Sequence, residues 1–214
     1  MMAGVQRVDV LSGAITKLLS APNTNPFVWL STTKPVSHMI MECPDEVLDT
    51  LLLASLVESI FTTSMSPKAM SVMAPALLRI AIRNEDGKRA IVNTQSFVAF
   101  VHLAEDHPNK CLSRIIQTLA TGDQDTQRLV ISAGGLPVIM HSVPNRSYVD
   151  DRKMCLAIVS LAVYPENRPA LVAAGAVPHL QRIAEEGCWG ISFAEDEDAC
   201  YMATARKALE WFLC

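Results

Sequence analysis

Metal binding and nucleophilic catalysis draw first on cysteine and histidine, and this chain has six and five of them. The cysteines are Cys43, Cys111, Cys155, Cys188, Cys200 and Cys214, and none forms a Cys-x-x-Cys pair. The histidines, His38, His102, His107, His141 and His179, have no ligand-like pairing with a cysteine, so the pattern predicts no zinc site. His102 and His107 flank Glu105 and Asp106, but five residues apart is not one helical face, and a loop is expected there. The acidic run Glu195-Asp-Glu-Asp198 lacks the alternating acids and bend glycine that a hard cation needs. No glycine-rich phosphate loop, nucleophile elbow or metalloprotease helix is present. The expectation is a protein that is not an enzyme and holds neither metal nor cofactor. The cysteines read as free, mostly buried thiols in a reducing compartment such as the cytoplasm.

The remaining chemistry is that of recognition. Gly187 to Asp198 holds two glycines, Trp189, Phe193 and then the four acids. It reads either as a partner-binding loop with two aromatic anchors or as acids placed at a helix N-terminus, where they favour the macrodipole. Arg79, Arg83, Lys88 and Arg89 form a mild basic cluster. It suits an acidic peptide or phosphate if Arg79 faces a groove, and otherwise reads as solvated helix ends. Met70 and Met73 fit a core at helical spacing.

These residues stand on a chain of 214, half of it hydrophobic and only 19% charged. A mean hydropathy of +0.24 excludes intrinsic disorder. A net charge of −4 gives no overall field to attract nucleic acid. No apolar run reaches the roughly 20 residues of a membrane span: Leu51 to Ile60 contains Glu58, and Met70 to Ile82 contains Pro75 and Arg79. Near the N-terminus, Asp9 and the lack of a second arginine argue against organelle targeting.

The elements that must position the candidates are helices. Val8 to Leu19 reads as an amphipathic helix, and Asn23 to Pro35 as irregular, with Pro26 and Pro35 as breakers. Asp45 to Phe61 reads as a helix with acids in its first turn. Ser66 is placed to cap the next helix, with Pro67 at its first position; Pro75 should kink or split it. The expected organisation is an N-terminal helix and irregular segment over 1–44, then a helical repeat domain over 45–214.

From Arg79 the chain repeats itself. The blocks Arg79 to Asn93, Thr118 to Ser132 and Ser160 to Ala174 share an apolar-Ala helix end, a polar turn and a short apolar helix. Their anchor alanines, Ala81, Ala120 and Ala162, are spaced by 39 and 42 residues. A second anchor matches Ala133-Gly-Gly-Leu-Pro137 to Ala174-Gly-Ala-Val-Pro178, 41 residues on. Gly134 and Gly175 suit a left-handed helix end, and Pro137 and Pro178 the start of the helix that follows. Arg152 to Val163 is apolar nearly all round, as a helix enclosed by neighbouring repeats must be.

The run Asn167-Arg-Pro-Ala-Leu-Val-Ala-Ala-Gly-Ala-Val-Pro-His-Leu180 resembles the armadillo-repeat signature, as does Gln127 to Ile139. The likeness is good over Thr126 to Ile183, fair over Glu85 to Ala120 and poor before Ser66. It implies an all-α fold: an armadillo-like right-handed superhelix, or α-solenoid, of about three to four repeats. It also implies a non-catalytic scaffold or adaptor whose partners are other proteins, as extended peptides or as subunits of a hetero-complex. In import-type members of the family, groove-lining Trp and Asn ladders hold the peptide. Their positions here are Pro75, Arg114 and Leu156, and Arg79, Thr118 and Ser160, so neither ladder is present. The candidate binding residues are Arg79, Arg83, Arg114, Thr118 and Ser160 on a groove, with Trp189 and Phe193 on the loop. The alternative is a structural subunit embedded in a large cytoskeletal, ciliary or organellar assembly.

Overall fold

A computed structural model describes residues 26–43, 53–64, 66–140, 148–186 and 195–213. The helix expected over Val8 to Leu19, the start of the one expected from Asp45, and the anchors Trp189 and Phe193 lie outside them. The described residues form helices and turns, with no strand, in an all-α solenoid fold. The chain divides into two compact units, Met1–His107 and Pro108–Cys214.

The first unit holds α1 (Pro26–Glu42), α2 (Leu53–Ser64), α3 (Pro67–Arg83), α4 (Glu85–Val92) and α5 (Phe97–Asp106). Helix α1 overturns the expected irregular segment. Pro26 occupies its first position, where a missing N–H costs nothing, and the interior Pro35 lies on its exposed side. The opposite side buries Val36 and Ile40, and α1 packs along α3. That burial outweighs one lost backbone hydrogen bond. Helix α3 likewise runs unbroken through Pro75, started by Ser66, whose Oγ accepts from the Ala69 amide at 3.3 Å. Met70 and Met73 are fully buried, and Phe61 meets Phe100 edge-on at 5.1 Å. The expected loop around the histidines is helix α5, because Phe97, Phe100, Val101 and Ala104 bury one helical face. His102 is exposed on α5 and His107 caps it.

The second unit holds α6 (Lys110–Leu119), α7 (Gln124–Ser132), α8 (Gly135–Met140), α9 (Tyr148–Ala162), a 3-10 turn (Pro165–Asn167), α10 (Arg168–Ala173), α11 (Ala176–Glu186) and α12 (Glu195–Leu213). The acids Glu195 to Asp198 form the first turn of α12 rather than a loop before it. Helices α7 and α10 end alike, with Gly134 at φ 82° and Gly175 at φ 83°. An alanine at either position would meet open space, so its cost is conformational alone. We expect Gly134→Ala and Gly175→Ala each to cost about 1 kcal/mol, read as a lower melting temperature. Near-equal losses at the two sites would show that they are the same repeat position.

Helix α9 is flanked by α6 and α12 and backed by α11. It buries Met154, Cys155, Ala157, Ile158, Leu161 and Ala162. Leu156, Val159 and Ser160 remain half-buried, so among the described residues α9 is not enclosed all round.

The carbonyl ends of these long helices are closed by side chains from other elements. At α9, Gln127 Nε2 donates to Ser160 O at 3.3 Å and Gly122 O at 3.0 Å. Asn167 Nδ2 donates to Leu161 O at 3.0 Å and Gln127 Oε1 at 3.4 Å. Arg168 Nε donates to Ala162 O at 3.0 Å, while its Nη1 reaches Trp211 O at 3.3 Å. Gln127 and Asn167 are buried, so each donor they lose strands an acceptor away from water. Asn167→Ala should cost about 1–2 kcal/mol in a denaturant titration. Within this network Gln127→Ala should add less in the Asn167→Ala background than alone.

Candidate protein-binding face

The site is built from α6 and α9, third helices of successive repeats. Asn109 starts α6, its Oδ1 accepting from the Cys111 amide at 2.8 Å. Leu112, Ile115, Ile116 and Leu119 then bury one face. Lys110, Arg114 and Thr118, four residues apart, fall on the opposite one. On α9 the same spacing aligns Arg152, Leu156 and Ser160, all half-buried.

Charged groups tie the stack together. Asp150 meets Lys110 Nζ at 3.0 Å through Oδ2 and Arg114 Nε at 3.6 Å through Oδ1, joining α9 to α6. On the other flank, Arg152 Nη2 donates to Tyr201 Oη at 2.8 Å, its guanidinium 4.4 Å from the ring centroid, joining α9 to α12. Arg182 Nη2 of α11 donates to Asp151 Oδ1 at 2.9 Å. At the repeat edge, Glu166 accepts from Gln124 at 2.6 Å and lies 3.8 Å from Arg128. A backbone hydrogen bond, then Gln124 and Arg128, hold its carboxyl below the usual range.

Three expected residues lie half-buried on two helices that pack together: Arg114 and Thr118 one turn apart on α6, and Ser160 on α9. Arg79 has a different duty within the first unit. Its Nη1 donates to Ile40 O at 2.9 Å and to Met41 O, and its Nη2 to Cys43 O at 2.5 Å, closing the end of α1. Arg83 is exposed in the last turn of α3. Lys110, Asp150, Arg152 and Tyr201 were missed. The four-residue stripe through Arg114 would have led to Lys110; the pairings across helices leave no local trace.

Among the described residues, no group of three or more His, Cys, Asp or Glu side chains could hold a metal ion. No helix among them is long and apolar enough to cross a membrane.

Solved structures share this arrangement along most of the chain. An engineered protein superposes with a TM-score of 0.68 at 19% identity, over 99% of this chain and 89% of its own. A designed armadillo repeat protein in complex with peptide (KR)4 gives 0.67 at 17% identity, over 92% and 85%. This is an armadillo-like repeat fold. A computationally designed armadillo repeat protein for modular peptide recognition also matches, with a TM-score of 0.59 at 15% identity over 93% and 98%. No family model and no curated protein matches the sequence. The armadillo-like order gives each helix its place. Helices α4 and α5, α7 and α8, and α10 and α11 are first and second helices; α6, α9 and α12 are the third helices that follow them.

Proposed function

We propose that this chain is a non-catalytic protein-interaction scaffold that takes an extended peptide segment across α6 and α9. The observation that carries this reading is the half-buried stripe of Arg114, Thr118, Leu156 and Ser160 on two adjacent third helices. Solved proteins of the same fold support it, one of them in complex with a peptide. Arg83 would serve the third-helix side of the first unit, and Arg79 would act there by holding α1. Cysteines without a Cys-x-x-Cys pair support work in a reducing compartment such as the cytoplasm.

The test is selection from a displayed random-peptide library against the full chain, followed by rebinding to Arg114→Ala and Leu156→Ala. Enriched peptides should lose about tenfold or more in affinity to each variant, with melting temperatures held within a few degrees. Peptides that bind both variants as well as the parent would sink the reading.

A second reading, a structural subunit held within a large hetero-complex, is favoured by apolar residues on other faces. Val98 on α5, Leu129 on α7 and Val172 on α10 are all exposed on first or second helices. Sizing of native complexes separates the two: a fixed stoichiometric assembly favours the subunit, an exchanging set of partners the adaptor.

A further inference from the structure

We infer that α6 reads one neutral carboxamide, an asparagine or glutamine side chain of the bound segment, between Gln117 and Arg114; the inference rests on the peptide-scaffold reading above. Gln117 is 7% exposed, and its Oε1 is buried with no hydrogen-bond donor. An acceptor taken out of water without a partner costs stability that an apolar side chain would not. The repeat register shows that the fold does not require it. Three residues before the anchor alanines Ala81, Ala120 and Ala162, the third helices α3, α6 and α9 carry Leu78, Gln117 and Val159. Of these three, α6 alone places an amide where the other two place an apolar residue. A locally costly residue that neighbouring repeats do without points to function rather than packing.

Arg114 supplies the complement. It stands three residues earlier on α6, the spacing at which side chains meet along a helix. Its side chain is 31% exposed, but its Nε–H is buried with no hydrogen-bond acceptor, the Asp150 carboxylate being 3.6 Å away. One turn of α6 thus holds a donor that lacks an acceptor and an acceptor that lacks a donor. A carboxamide answers both, its carbonyl accepting from the guanidinium and its N–H donating to Gln117 Oε1. A carboxylate has no proton for Oε1. A lysine or arginine accepts nothing and brings like charge to Arg114, and an apolar side chain leaves both groups unpaired. A hydroxyl must serve both from a single atom, whereas the carboxamide holds its donor and acceptor apart. Gln117 lies below the surface, so a projecting side chain suits it better than a main chain passing over the helix. Its broad terminal torsion lets the amide turn toward the arriving group.

The test uses the full chain and peptides selected from the displayed library. Binders should hold Asn or Gln at one fixed position. Changing that residue to the isosteric Leu or Met, or to Asp or Glu, should weaken binding about tenfold or more. Against Gln117→Met the change to Leu or Met should cost less than about twofold, because the acceptor that reads the amide is gone. The free Gln117→Met chain should melt no lower than the parent, since the substitution removes an unpaired acceptor and nearly conserves volume. Three results would each overturn the inference. Binders could show no carboxamide position; the amide-to-apolar change could cost the same against parent and Gln117→Met; or Gln117→Met could melt several degrees lower, showing that the amide is already paired within the chain. Peptides that depend on Arg114 and Leu156 yet give any of these results leave the scaffold standing. Peptides that ignore both residues remove the scaffold, and this site with it.

Discussion

Replacing Gly87 with alanine is expected to destabilise the first unit by about 3 kcal/mol, a fall of roughly 6–12 °C in melting temperature. Gly87 is buried in the first turn of α4, its amide donating to Asn84 Oδ1 at 2.8 Å. That bond draws α4 so tightly onto the end of α3 that a methyl would collide with the Ile80 carbonyl. Its carbon would also lie 3.0 Å from Ile80 C and 3.2 Å from Ile80 Cγ2. Backbone on one side and a fully buried isoleucine on the other leave nothing that yields cheaply. The effect differs in kind from that at Gly134 and Gly175, where space is open and only φ is strained. A loss at Gly87 no larger than at Gly134, measured in the same urea titrations, would show that α4 can slide on α3.

Arg182→Ala is expected to cost about 3 kcal/mol in the second unit, because it leaves the Asp151 carboxylate at 1% exposure without the guanidinium 2.9 Å away. Arg182 itself is 25% exposed, so Asp151→Asn strands a cation that still reaches water and should cost less. The first turn of α9 gives Asp151 some help from the helix dipole, which holds the cost at the lower end of the range for broken buried pairs. The double variant Asp151→Asn with Arg182→Met should be more stable than Arg182→Ala alone. A double-mutant cycle by chemical denaturation measures the coupling, and an additive result would mean that the pair contributes nothing as a pair.

What could be read from the sequence was whatever local backbone chemistry encodes. Gly134 and Gly175 stand at left-handed helix ends, and Ser66 and Pro67 begin a helix, because each requirement lies within a few residues. The repeat register put Arg114 and Thr118 on one helix and Ser160 on the next third helix, where all three are half-buried, since spacing modulo a helical turn survives translation from one repeat to the next. Helix α1 was illegible because its two prolines argue against helix locally, while the burial of Val36 and Ile40 against α3 is decided far along the chain. Arg79 was illegible for the same reason: a basic residue in a repeat gives no sign that its partners are backbone carbonyls. The Asp150 cluster depends on how closely α9 lies to α6, and no periodicity states that.

Arg79 also imposes an order in time. The carbonyls it closes lie 39, 38 and 36 residues upstream, at Ile40, Met41 and Cys43. A chain leaving the ribosome N-terminus first therefore presents α1 with its last carbonyls bound to water until Arg79 has emerged and α3 has docked. At the other end, Leu161 and Ala162 wait for Asn167 and Arg168 in the same way. Nascent chains halted between these points would carry a helix whose final turn is unfinished, and each such stall marks a stage at which chaperones or proteases find the array open.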